Sequence, residues 1–80
     1  MQIKENTKFA SIILDKEEDF AKPNIEETFK KIEEYKKLPF HDVILQMDSK
    51  YYVKFWEILM LKKLKYKEAE IKNNTMLIKF

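Results

Sequence analysis

The stretch DFAKPNIEE, Asp19 to Glu27, is where this chain comes nearest to a reactive site. Pro23 disfavours helix on its amino side, Asn24 suits an N-cap, and Glu27 falls at the reciprocal capping-box position, so a helix is predicted to begin at Asn24. Several backbone N–H groups point outward at such an entrance, where folds hold anions or place a reactive side chain. Phe20, Lys22, Pro23 and Asn24 are therefore candidate partner-binding residues, although Phe20 with Pro23 equally suits a packing staple. Elsewhere the chemical repertoire is thin. His41 is the only histidine, Ser11 and Ser49 are the only serines, and there is neither cysteine nor glycine. That composition excludes thiolate catalysis, disulfides, cysteine-ligated zinc, a nucleophile elbow and a glycine-rich phosphate loop. The acidic run Asp15, Glu17, Glu18, Asp19 lacks the turn glycine of a calcium loop and reads as a solvated loop. No catalytic residue, metal ligand or cofactor is expected, and the chain is read as a non-enzyme.

All 16 basic residues are lysine, against 14 acids. Lysine attracts phosphates but lacks the planar fork that reads guanine edges, so base-specific DNA recognition is disfavoured. Residues 1–40 hold 8 Lys and 9 acids, and residues 41–80 hold 8 Lys and 5 acids, which puts any anion-facing surface in the second half. Lys62, Lys63, Lys65 and Lys67 with Tyr66 form the candidate nucleic-acid patch there, the alternative being a solvated helix end that suits the helix dipole. The polar start MQIKENTK and a longest apolar run of only Ile58–Leu61 argue against a signal sequence or membrane span. A cytoplasmic protein without membrane contact is expected.

The elements that would position these residues follow from hydrophobic period. With 80 residues the chain is predicted to be a single domain, 1–80, with a thin core. Lys8–Leu14 reads as a buried strand, and Asn24 to about Lys37 as a helix with Ile25, Phe29 and Ile32 inward, Tyr35 at the margin, and Glu26–Lys30, Glu27–Lys31 and Glu33–Lys37 pairs outside. Asp42–Met47 reads as a second strand. Asp48 or Ser49 caps a second helix to about Lys63, whose inward face is assigned to Tyr52, Phe55, Trp56, Leu59 and Met60. Tyr51, Ile58 and Leu61 are then left over as candidate partner or homodimer contacts. The tail alternates through Ala69 and Ile71, turns at Asn73–Asn74, and alternates again through Met76, Ile78 and Phe80. The expected class is α+β: a β-α-β-α-β-β two-layer sandwich with two helices on one face of a four-stranded mixed sheet.

With this order, the chain resembles the TusA/SirA family of small sulfur carriers over nearly its whole length. In that family the first helix opens with Cys-Pro-x-Pro shortly after an aspartate that ends strand one. Here ILD ends at Asp15 and the helix opens with Phe20-Ala21-Lys22-Pro23, so Pro23 matches the second proline and Phe20 stands at the cysteine. VILQMD, the helix ending at Lys62-Lys63, and the hairpin KEAEIKNNTMLIKF are similar to the family's second half. The first proline is absent, the Asp15-to-Pro23 spacing is one residue short, and the usual glycine after helix two is Lys65. The resemblance implies a related fold, and a binding or scaffold role toward proteins of a sulfur-transfer pathway. It does not carry over the carrier chemistry, because phenylalanine cannot hold a persulfide. The same element order occurs in the carboxy-terminal domain of initiation factor 3 and in Alba-type chromatin proteins, so a small basic nucleic-acid- or ribosome-associated protein is the alternative. A small partner-occupying regulator of phage or plasmid type is a third reading.

Overall fold

The computed structural model describes residues 1–39 and 41–80. Five strands and two helices alternate as β1 (Gln2–Glu5), β2 (Phe9–Leu14), α1 (Asn24–Lys36), β3 (Asp42–Asp48), α2 (Tyr52–Lys62), β4 (Glu68–Lys72) and β5 (Thr75–Lys79). The sheet order is β1-β2-β3-β5-β4, with β2 and β3 parallel and every other pair antiparallel. The class is α+β with a mixed sheet, but the expected four strands are five. The additional strand is β1, an edge strand of four residues whose single apolar member, Ile3, lies opposite Ile12. One apolar residue on a short polar edge leaves no alternation to detect.

Strand alternation places the core on one side of the sheet. Ile12, Leu14, Val43, Leu45, Met47, Met76, Ile78 and Phe80 join Ile25, Phe29 and Ile32 of α1 and Phe55 and Leu59 of α2 in one buried cluster. Both helices therefore cover the same face, as expected. The face away from them carries Ser11, Ile13, Ile44, Gln46 and Leu77, each only half-buried. The tail folds as the sequence predicts, because Asn73 (φ 51°) and Asn74 (φ 63°) both take the left-handed conformation of a two-residue hairpin turn. The Ser49 amide donates to the Asn74 carbonyl at 2.8 Å and pins that turn to the start of α2.

Four local expectations are corrected. Asn24 does not cap α1; its side-chain amide donates to the Glu18 carbonyl at 3.0 Å, and Pro23 occupies the cap position without a side-chain bond. The reason is that a single 3-10 turn, Glu17–Phe20, precedes the helix, and the Ala21 carbonyl already accepts from Ile25 at 2.9 Å. Glu26 reaches across to Lys62 of α2 instead of pairing with Lys30 along its own helix. The inward face of α2 is narrower than the five residues assigned to it. Phe55 and Leu59 are buried, whereas Met60 is 76% exposed and Tyr52 38%. Asp48 caps a 3-10 turn over Ser49–Tyr51, accepting from the Lys50 amide at 2.9 Å, instead of α2, which starts at Tyr52 with Tyr51 at its cap position and no side-chain bond.

Lys63 ends α2 in the left-handed region, at φ 54° and ψ 31°. A residue with a Cβ pays for that conformation and glycine does not. Lys63→Gly should therefore stabilise the protein by about 1 kcal/mol, raising the melting temperature by about 4–8 °C in a differential scan. An unchanged or lower melting temperature would count against this account of the helix end.

Candidate functional site

At the entrance of α1 the structure moves the chemistry inward. Phe20 is 3% exposed and stacks on Tyr51 at 4.4 Å between ring centroids, so its ring is part of the core instead of a surface corner. Lys22, Pro23 and Asn24 remain exposed. Beside them Phe20 and Lys22 meet Ile58 and Leu61 around a hollow of about 350 Å³, bordered by the Lys62–Glu26 ion pair. Sequence reasoning had named these residues in two separate groups. Tyr51 and Ile58 pack against the core, while Leu61 is 83% exposed.

Asp19 is buried, in contrast to the solvated loop expected for the acidic run. Its carboxylate accepts from the Met1 ammonium at 2.6 Å and from the amides of Asp15 and Lys16 at 3.0 and 3.1 Å. Burial alone would raise its pKa, but the hydrogen bond and charge of the ammonium with the two amide bonds outweigh it and hold the carboxyl below its ordinary value. A run of four acids offers no sign of which one will turn inward. The group organises the loop.

His41 donates from Nε2 to the Asn6 carbonyl, 3.1 Å away, and its ring stacks on Tyr35 at 5.7 Å. It ties the β1–β2 turn to the start of β3. Tyr35 has its pKa raised by burial and then by the Glu5 carboxylate beside it. Among the described residues no group of three His, Cys, Asp or Glu side chains is placed to hold a metal ion.

An aromatic row on the outside of α2 was only partly visible in the sequence. Tyr52 and Trp56 are one helical turn apart, with centroids 5.6 Å from each other, and Tyr66 from the α2–β4 connection extends the row at 5.1 Å from Trp56. Two adjoining hollows share Trp56 and Tyr66. One, about 500 Å³, is completed by Met60, Leu64, Lys63 and Lys65; the other, about 440 Å³, runs over Ala69 and Ile71 of β4. The candidate nucleic-acid residues are thereby divided. Lys63, Lys65 and Tyr66 line the same hollow, but Lys62 is turned toward Glu26 on the opposite side of α2. Lys67 is exposed just before β4, its amide donating to the Lys79 carbonyl at 2.7 Å.

No known family, curated protein or solved structure matches the chain. Geometry alone therefore separates the candidate surfaces. Among the described residues, no helix is long and apolar enough to cross a membrane.

Proposed function

We propose that the protein is a non-catalytic, cytoplasmic binding module of TusA/SirA-like layout, which docks a protein partner on the outer face of α2. One observation carries this reading. In its sequence YVKFWEILMLK, α2 commits only Phe55 and Leu59 fully to the core and leaves Tyr52, Val53, Met60 and Leu61 exposed. A helix that is apolar on nearly all sides is normally enclosed, and a contiguous exposed apolar surface marks an interaction site. The bordering Lys54, Lys63 and Lys65 suit a partner segment with apolar residues flanked by acids. Kinship with sulfur-relay modules is supported by the β2-α1-β3-α2-β4-β5 order and by Pro23 opening α1; with phenylalanine at the cysteine position, the role is docking without sulfur carriage.

The test compares the tagged wild type with the double variant Met60→Glu, Leu61→Glu in nuclease-treated extract of the source. Both side chains are exposed, so the variant should stay within about 0.5 kcal/mol of wild-type stability. Captured proteins should be lost from the variant, and sulfur-transfer proteins among them would support the relay role. Identical capture by both chains would remove α2 as the docking face. Salt-sensitive binding of single-stranded RNA, abolished by neutralising Lys63, Lys65 and Lys67, would replace this reading with the nucleic-acid one.

A further inference from the structure

β4 is the outer strand of the sheet, hydrogen-bonded only to β5 in the strand order, and all five of its residues, EAEIK, are exposed. Exposed edges of this kind are templates for another strand. The hairpin determines which groups are on offer. With two residues in the turn, Lys72 and Thr75 form the closing hydrogen-bonded pair, and alternate residues then direct their backbone groups to β5. Glu68, Glu70 and Lys72 face inward in this sense, and the N–H and C=O of Ala69 and Ile71 face the free edge. Side chains alternate the other way. Ala69 and Ile71 lie on the helix side, where Ile71 is 57% exposed beside Trp56 and Tyr66, while Glu68, Glu70 and Lys72 lie on the open face of the sheet.

We infer that the occupant of this edge is a second copy of the chain, paired antiparallel through β4 and centred on Ile71. The available backbone groups permit only self-pairings centred on a residue of this short strand, and charge separates them. Centring on Ala69 sets Glu68 against Glu70 of the other copy twice. Centring on Glu70 sets Glu68 opposite Lys72 twice but also Glu70 against itself, and centring on Glu68 or Lys72 likewise sets that residue against its own copy. Centring on Ile71 sets Glu70 opposite Lys72 twice and Ile71 opposite Ile71, with no like charges opposed. Opposite charges directly across a ladder are favourable and like charges are not. Two-fold symmetry then repeats each contact and joins two five-stranded sheets into one, with the paired isoleucines extending the apolar strip at Trp56. Edge charges commonly prevent association; here both signs are present at a spacing that leaves one register free of opposed like charges.

Sedimentation equilibrium of the full chain tests this. The wild type should be a dimer that dissociates on dilution. Glu70→Lys places two lysines opposite one another at each charged pair, and Lys72→Glu places two glutamates there, so each variant alone should dimerise about tenfold more weakly or worse. An equimolar mixture gives a heterodimer in which one charged pair keeps the wild-type arrangement and the other is reversed: the two lysines of one variant face the two glutamates of the other, so both pairs are again of opposite charge. That mixture should recover wild-type affinity. A wild type that stays monomeric at the highest soluble concentration, variants that dimerise unchanged, or a mixture that remains as weak as its components would overturn the inference. Circular dichroism of each variant separates lost pairing from lost folding, and a variant that unfolds is replaced by the milder pair Glu70→Gln and Lys72→Gln, for which weakening is again expected and unchanged affinity again overturns. The α2 docking reading is tested by different residues, so either proposal can fail without the other.

Discussion

Phe55→Ala is expected to lower stability by about 3–5 kcal/mol, the largest single effect of any substitution considered. Phe55 is 0% exposed and packs on Phe29 with ring centroids 6.0 Å apart, bridging the two helices above the sheet. Removing its ring takes away buried apolar area and leaves a void that a two-layer fold cannot fill from a second core. A small domain has a total of about 5–15 kcal/mol to lose, so the variant should be close to unfolding at ambient temperature. Urea denaturation followed by circular dichroism should show a much lower midpoint with little change in slope. A loss below about 1 kcal/mol would mean that the helices close over the gap and that Phe55 is not the keystone of the layer.

Asp19→Ala should follow, at about 2–3 kcal/mol, because it strips the acceptor from two amides and an ammonium in a confined site. Asp19→Asn keeps one acceptor oxygen and should cost less. The pH dependence is specific in sign. The Asp19 carboxyl lies below its ordinary value of 3.8 in the folded protein, so the folded state holds the ionised form more tightly than the unfolded state does. Its contribution is complete above the unfolded value, near pH 4, and is lost as the pH falls through the lowered folded value. The difference in stability between wild type and Asp19→Asn should therefore be constant at neutral pH and shrink in acid. A difference that grows on acidification would contradict the hydrogen-bond assignment. The solvent-exposed Lys62–Glu26 pair offers no comparable signal, as exposed pairs are worth little.

Both effects arise where distant parts of the chain meet, and this is where reading the sequence stopped short. The alternation of TMLIKF, the period of IEETFKKI and the paired asparagines at 73 and 74 were enough to order β5, α1 and the hairpin, because each depends on neighbours in the chain. β1 was missed because a four-residue edge with one apolar side chain carries too little period. The entrance of α1 was legible as an entrance but not in its bonding, since the turn at Glu17–Phe20 takes over the role assigned to Asn24.

Of the binding surface, the sequence showed that apolar residues were in excess on α2 and that lysines gathered at its end. It did not show which residues would remain outside. Met60 was assigned inward and is exposed; Ile58 was left over and packs against the core. An amphipathic helix such as α1 declares its own inward face, because one side is charged. α2 has apolar side chains around most of its circumference, so its rotation about its axis is set by the shape of the layer beneath it: the sheet and Phe29 of α1. The chain alone determined that a hydrophobic helix would lie on a mixed sheet and that no cysteine chemistry would occur. Tertiary packing decided which of that helix's side chains, and which edge of the sheet, were left for another molecule, because burial depends on what the remainder of the fold can cover.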